Sequence, residues 1–357
     1  MKIRFLSFVF LSLVLSLITY GQESIELQDN NWDTEKARLA QFETVDGVQT
    51  LLLNGRATLN HHKFSNGSIE VDIYPNQKRS FAGISFRKQD GTYEEVYLRN
   101  HKSGQVDAIQ YTPVFNLESS WQLYSEHQAQ VKFSSQKSNH LKIKVDGELA
   151  DIFINDEKVL TIDDLRSGNK QGSIGLFSLF ENRFANFKVV HIPENPKAHK
   201  RTGTSDGHGV IKKWELTEAF IFSKDSLDNI DFAKHHYKEV ITETSGLLPI
   251  SKFIQKPSAG NFEGNAEVYT IARLQIDSDT ASEKLFSFDY SDRIYLYLNG
   301  RLLFSGNNAF RAKGLQHTGH INMNSNTLYL DLNKGKNILH CVVVDRANGW
   351  GIQAKIR

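Results

Sequence analysis

Alternation with a period of two, punctuated by turn dipeptides, limits what this chain can fold into more than any other feature. From Ser68 to Tyr74 the residues Ile69, Val71 and Ile73 fall on one side, and Glu70, Asp72 and Tyr74 on the other. Leu141 to Val145 alternates in the same way, Asp146-Gly147 supplies a hairpin turn, and Ala150 to Ile154 returns before the Asn155-Asp156 turn and Val159 to Ile162. Successive side chains of a strand point to opposite faces, so this pattern buries one face and leaves the other polar. Asp-Gly between two such runs is a hairpin signal. The expected result is a meander of short antiparallel strands. Six prolines, many Phe and Tyr, and frequent Asn, Asp and Gly turn signals extend the all-β expectation to the whole chain. Only Asp228 to Val240 is expected to hold a short helix.

Lys2 and Arg4 precede an apolar run from Phe5 to Ile18, followed by Thr19, Tyr20 and Gly21. This is the pattern of a secretory signal peptide, assigned to residues 1–21, with cleavage near Gly21 or Gln22. The run is shorter than the roughly 20 residues that span a bilayer, so a soluble secreted or periplasmic protein without membrane insertion is expected. No cysteine ends the signal, which argues against a bacterial lipid anchor. Cys341, the single cysteine, lies in the apolar run Ile338 to Val344 and reads as a packed thiol, so no disulfide forms within the chain. A formal charge of +1 gives no general attraction to nucleic acid or anionic membranes.

With 357 residues, and about 150 per domain as a guide, two domains are expected. Composition changes after Ala185 to Ile192, and the stretch 193–210 carries two prolines, several lysines and no periodicity, which suits a linker. The expected units are a sandwich over 22–192 and a second β-rich unit over 211–357. His199, His208 and Asp206 match no compact metal-ligand spacing, so they are assigned to the linker.

One stretch carries more chemistry than a sheet requires. Between residues 93 and 124 lie Tyr93, Glu95, Tyr97, Arg99, His101, Asp107, Gln110, Tyr111, Trp121, Gln122 and Tyr124. On an extended strand Tyr93, Glu95, Tyr97 and Arg99 share a face while Val96 and Leu98 point inward. His101 follows at the strand end, and a Lys102-Ser103-Gly104 turn brings Asp107 to Tyr111 alongside. Arg99 can hold a carboxylate or sulfate bidentately, the aromatic rings can stack on sugars, and Gln110 can bridge hydroxyls. Each residue also has a plain structural reading. Tyr93 and Tyr97 suit cross-strand packing, Glu95 and Arg99 a surface ion pair, Asp107 a turn cap, and Trp121 the core.

Leu141 to Leu160 and "GSIGLFSLFENRFANFKVV" at Gly172 to Val190 resemble the closing strands of concanavalin A-like sandwiches. Together with "EEVYLRNHKSGQVDAIQYTPVFNLESSWQLY" at Glu94 to Tyr124, they make residues 22 to 192 similar to laminin-G and 3-keto-disaccharide-hydrolase-like domains of secreted bacterial proteins. Asn100 stands where that family usually has proline. "FDYSDRIYLYLNGRLLFSG" from Phe288 and "GKNILHCVVVDRANGWGIQAKI" from Gly335 resemble the galactose-binding-like jelly roll appended to many glycosidases. The resemblances imply two β-sandwich (jelly-roll) domains in tandem, secreted for polysaccharide degradation, with sugar bound on a concave sheet face. Trp350 is expected to be structural.

Three activities compete. Ordinary glycoside hydrolysis requires two carboxyls flanking the bond, and Glu70-Val71-Asp72-Ile73-Tyr74-Pro75 lacks the last glutamate of the glucanase strand it resembles. Elimination beside a uronate carboxylate needs a cation for that group and a base. Arg99, His101 and Tyr111 are therefore the catalytic candidates, and Tyr93, Glu95, Tyr97, Asp107, Gln110, Trp121 and Tyr124 the substrate-binding ones. An acidic oligosaccharide is the expected partner, cleaved by a lyase or dehydrated, with simple carbohydrate binding as the alternative. No cofactor and no metal ligands are expected, a structural calcium being left open, as is the oligomeric state.

Overall fold

The computed structural model describes residues 21–76, 78–193, 207–227, 230–257 and 266–357. Almost all of the expected signal segment and most of the expected linker, including His199 and Asp206, lie outside them. Among the described residues there is no α-helix, only strands and short 3-10 turns, as the alternation requires. The helix expected over Asp228 to Val240 is not formed in its described part, residues 230–240. Phe232–Lys234 is a single 3-10 turn capped by the Asp231 carboxylate, and Lys238–Ile241 is a strand. The apolar pattern is too short to stabilise a helix alone, and Val240 instead joins the core that holds Trp214 and Leu216.

Strands between residues 22 and 191 build the first sandwich around one core. Its expected meander is present as Asn139–Asp146, Leu149–Ile154 and Glu157–Ile162. The long strand Ser173–His191 belongs to both layers. Its first half pairs with Phe81–Gln89 and its second half with Gly67–Ile73, with a register break between Ser178 and Asn182. Such a break bends a strand and lets it turn a corner between sheets. Inward residues Val96 and Leu98 from one layer share the core with Ile69, Val71, Leu141, Ile143 and Phe184 from the other.

Strands between residues 213 and 356 form two further sheets. Val268–Ser278, Gly335–Asp345 and Arg293–Leu298 lie at the centre of one, Ser282–Ser291 and Gly351–Ile356 at the centre of the other. Cys341 is fully buried in the core they share, and burial pushes its thiol far up. Trp350 is buried as expected, donating its indole N–H to the Val343 carbonyl at 3.0 Å.

The two sandwiches are joined through side chains far from the linker. The segment 115–124 of the first lies against residues 243–256, 318–321 and 348–351 of the second. Phe115, Leu123, Tyr124, Leu247 and Ile321 make a shared apolar cluster. Gly351 packs closely there, since a Cβ would stand 2.9 Å from Leu123 Cδ1. Polar contacts surround the cluster. Gln122 donates to Thr318 O at 2.8 Å, Asn116 to Ser251 O at 2.8 Å, and the Tyr124 hydroxyl to Glu243 at 2.6 Å. Deepest is Lys256, whose ammonium bonds Glu118 of the first sandwich at 3.1 Å and Asp345 of the second. All three side chains are at most 5% exposed.

A buried charge left without its partner is costly, so Lys256→Met is expected to destabilise the chain by about 3–5 kcal/mol in chemical denaturation. Burial raises Glu118 from 4.5 to about 7, with Lys256 opposing and Asp345 adding to the shift. An acid with a raised native pKa holds its proton better in the folded state. Its contribution is therefore greatest at low pH and is lost as pH rises from about 4.5 through 7. Glu118→Gln is thus expected to shift Tm more favourably, relative to wild type, at pH 8 than at pH 5, and an equal shift at both values would contradict this.

Candidate functional site

Strand Thr92–Arg99 divides its side chains as alternation requires, and both faces carry polar groups. Towards the core, Glu94 is fully buried beside Val96 and Leu98. It accepts the Tyr111 hydroxyl at 2.7 Å and the Ser167 amide at 2.9 Å, while the Arg166 amide donates to the Tyr111 oxygen at 2.9 Å. Tyr111 therefore sits on the face opposite Arg99 and does not join it at a catalytic centre. The register explains this: Tyr111 pairs with Val96, and directly opposed residues point the same way. Its assignment as catalytic acid or base is corrected to a core hydrogen bond.

Away from the core, Tyr93, Glu95, Tyr97 and Arg99 stand in a row as expected, and neighbouring strands complete the surface. Gly83 and Gln110 flank Tyr97, and Phe177 stands beyond Gly83, opposite Arg56. A Cβ on Gly83 would lie 2.7 Å from that of Tyr97, so glycine lets the rings of Tyr97 and Phe177 approach to 5.8 Å. Glu95 accepts from Arg56 at 2.5 Å. The Arg56 guanidinium lies 5.0 Å from the Tyr93 ring centre and 4.6 Å from that of Phe177. Burial alone would lower the Arg56 pKa, but Glu95 more than offsets it and the net shift is upward. Burial likewise pushes the phenols of Tyr93 and Tyr97 up, so both remain protonated donors near neutral pH. Glu95 itself is 2% exposed, whereas a third of the Arg56 side chain is accessible. Phe81 and Phe177 are half-buried, so the surface offered to a ligand is the Arg56 cation between aromatic faces.

At the end of the row Arg99 is already committed. Its guanidinium donates to the Asp107 carbonyl at 2.9 Å, the Asp107 carboxylate at 3.2 Å and Gln110 at 3.2 Å, and it stacks 5.4 Å from the centre of Trp121. Those bonds leave it positioning Trp121 rather than holding a carboxylate from a ligand, which corrects its expected role. Asp107 and Gln110 serve Arg99. His101 is exposed at the strand end, edge-on to Phe81 at 5.2 Å, with Nδ1 at 3.2 Å from Ser80 O, and burial of one side lowers its pKa. Tyr124 is buried against the second sandwich and withdrawn from any ligand surface.

Trp121 is half-buried at the junction, 5.9 Å from Phe310 and 5.4 Å from His320, both from the second sandwich. Burial, and next the Arg99 charge, lower His320 to about 4, so its ring is neutral at pH 7. Arg56, Phe81, Phe177, Phe310 and His320 were not expected from the sequence. They come from strands and loops distant along the chain, and only the glycine opposite Tyr97 hints that a neighbouring ring needs space. Glu70 and Asp72 lie on the other layer, bonded to Lys142 at 2.6 Å and His140 at 2.7 Å. Among the described residues no three His, Cys, Asp or Glu side chains converge to hold a metal. No helix there is long and apolar enough to cross a membrane.

The division of roles between the two faces has a direct check. Tyr111→Phe leaves the buried Glu94 short of a donor and is expected to cost about 1–3 kcal/mol of stability. Saccharide affinity, measured on the folded variant, is expected to stay within about twofold of wild type. A large loss of affinity with unchanged stability would restore Tyr111 to the site.

No curated protein matches the chain. Among solved structures, it is similar to the carbohydrate-binding module CBM66 from Bacillus subtilis, at 15% identity over 45% of this chain and 94% of that one, TM-score 0.33. A β-1,3-1,4-glucanase (lichenase) from a mouse hindgut metagenome matches at 9% identity over 48% and 98%, TM-score 0.35. A laminarinase from Flavobacterium sp. UMI-01 matches at 10% over 48% and 99%, TM-score 0.32. These likenesses carry no argument about activity. The family described as the 3-keto-alpha-glucoside-1,2-lyase-like domain matches residues 26–192, just under half of the 357 residues and nearly all of the first sandwich.

Proposed function

We propose that the protein is a secreted or periplasmic carbohydrate-active enzyme that cleaves a glycoside by elimination on the outer face of the first sandwich. The observation that carries this reading is the Arg56–Glu95 pair, a carboxylate and a cation held 2.5 Å apart between Tyr93, Tyr97 and Phe177. The description of the matching family supports the reaction type, and the apolar run after Lys2 and Arg4 supports export.

Elimination needs a C–H made acidic by an adjacent carbonyl, a base for that proton and a donor for the enolate oxygen. In a sugar ring with a ketone at C3, Arg56 donates to the ketone oxygen, and Glu95, covered by Arg56 at rest, takes the proton from C2 as the ketone draws that guanidinium off it. The C2–H electron pair forms the C1=C2 double bond as the C1–O bond breaks, the aglycone oxygen takes a proton from water, and Glu95 returns the C2 proton to the hydroxide so formed. Phe177 and Phe81 supply flat apolar faces for the ring. Glu95 cancels the charge of Arg56, so the pair suits a neutral ketone better than a uronate carboxylate, which Glu95 would repel. A ring ketone therefore takes precedence over the uronate as the activating group. Hydrolysis by two carboxyls is less well supported, because Asp107 is engaged with Arg99 and Glu70 and Asp72 lie beyond the core.

Simple binding is the second reading, favoured by the fact that Arg56 and Glu95 already satisfy one another. The test is incubation of the mature protein with a 3-keto-glucoside, its parent glucoside and oligogalacturonides in ¹⁸O-labelled water. Elimination predicts release of the aglycone with enone absorbance and no ¹⁸O in the product as formed. Glu95→Gln and Arg56→Gln are each expected to lower kcat by about 10²-fold or more. Binding without turnover of any of these compounds, or full turnover by Glu95→Gln, would overturn the proposal.

A further inference from the structure

The outer face of the first sandwich does not end at Phe177. Directly opposed residues point the same way, so Leu179, Phe81 and Arg99 form a second row beside Phe177, Gly83 and Tyr97. Leu176 and Ser178, at the alternate positions, are buried, as an outward Leu179 requires. Arg99 is taken up by Asp107, Gln110 and Trp121. Leu179, however, is 36% exposed, and Phe180, next along the chain, is 45% exposed. His101 and the Arg79 guanidinium hold Phe81 in place, 5.2 and 5.7 Å from its ring centre. An apolar patch thus borders the surface on which the sugar ring was placed above.

The chain is bent to present this patch. Between Ser178 and Asn182 the strand Ser173–His191 loses register with Val48–Leu59, and three of its residues stand opposite Asn54 alone. Phe180 lies in that bulge with a left-handed backbone, φ 65°. A non-glycine residue occupies that region at a cost, and both such residues and bulges are concentrated at functional sites. Polar side chains hold the bulge in shape. The Ser178 hydroxyl donates to the Phe180 carbonyl at 2.7 Å, and the Asn182 amide donates to the Phe81 carbonyl at 3.0 Å and to the Ser178 hydroxyl at 2.9 Å. Asn76 donates to the Glu181 carbonyl at 2.6 Å, and Asn100 to the Asn182 side chain at 3.0 Å. The exposed pair Leu179-Phe180 is therefore built into the sheet and not a loose loop tip.

We propose that Leu179 and Phe180, with Phe81, form the subsite for the group leaving from C1, and that this group carries an aromatic ring, so that the substrate is an aromatic 3-keto-glucoside. The assignment rests on the proposed elimination, which sets the keto-bearing ring between Phe177 and Phe81. Leu179 neighbours both of them, along its own strand and across to the next, and in a terminal glycoside the large substituent is the one on C1. The side chains of Leu179, Phe180 and Phe81 carry no hydrogen-bond donor or acceptor. A second sugar laid on them would give up the water around its hydroxyls without a replacement, whereas an aromatic ring gains by burial and by edge or offset contact with the two phenylalanines. A phenol, with a pKa of about 10, also departs with less help from an acid than a sugar alcohol does, which suits an aglycone that takes its proton from water.

The test is turnover by the full mature chain of three compounds: ethyl 3-keto-glucoside, 2-phenylethyl 3-keto-glucoside and 3-keto-cellobiose. The first two release alcohols of similar acidity and differ in the aromatic ring. The 2-phenylethyl compound is expected to exceed each of the others by about tenfold or more in kcat/KM, and Phe180→Ser and Leu179→Ser are each expected to lower that ratio by about fivefold. If one variant lowers Tm, the other decides. Equal kcat/KM for the three compounds, or a ratio unchanged in both variants, would overturn the subsite and leave the elimination standing. If none is turned over, the elimination fails and calorimetry with the parent 2-phenylethyl and ethyl glucosides decides the subsite: tighter binding of the aromatic one that Phe180→Ser abolishes sustains it, and equal binding refutes it. Dimerisation seen in light scattering and abolished by Leu179→Ser, with no preference for the aromatic compound, would assign the patch to a second copy of the chain instead.

Discussion

Lys256, bonded to a carboxylate from each sandwich, sets the constraint on which the rest of the molecule depends. A buried ammonium between Glu118 and Asp345 is tolerable only if both sandwiches hold it in place at once. That requirement fixes the 115–124 segment against the second unit, and Gly351 leaves room for the Leu123 side chain beside it. Trp121 follows from this placement, because it lies in the same short turn as Gln122 and Leu123. The Trp121 indole in turn gives Arg99 a surface to stack on, and Arg99 closes the end of the row that begins at Tyr93. The outer face of that row and the junction between sandwiches are thus mechanically one feature.

The polar richness of residues 93–124 has two causes that are adjacent in sequence and separate in space. Glu94, Tyr111, Gln122 and Tyr124 are polar because they are buried where backbone amides and the second sandwich supply partners. Tyr93, Glu95 and Tyr97 are buried on the other face, where Arg56, Arg99 and Phe177 supply their partners. A run of residues carries no mark distinguishing these cases until the register is known, since a shift of one residue exchanges the faces.

The fold was legible where alternation is strict. The meander from residue 139 to 162 and the row Tyr93, Glu95, Tyr97, Arg99 follow from a period of two and turn chemistry alone. The site was legible only in part. Arg99 read as a free cation because its partners Asp107 and Gln110 come into reach only once the next strand pairs. Arg56 and Phe177 were unreadable because their strands reach the row through long-range pairing with no local signal. Asp228 to Val240 misled because a short apolar pattern is shared by helices and by segments laid over a sheet.

The central claim is that a sugar ring rests on Phe177 with its carbonyl oxygen against Arg56. Its most direct test is a crystal structure of the full mature chain, as Glu95→Gln to prevent turnover, grown with 3-keto-cellobiose. The account predicts the keto-bearing ring between Phe177 and Phe81, with its ketone oxygen within hydrogen-bonding distance of the Arg56 guanidinium and C2 facing residue 95. A well-ordered sugar bound elsewhere on the molecule, with the Arg56 surface empty, would contradict it.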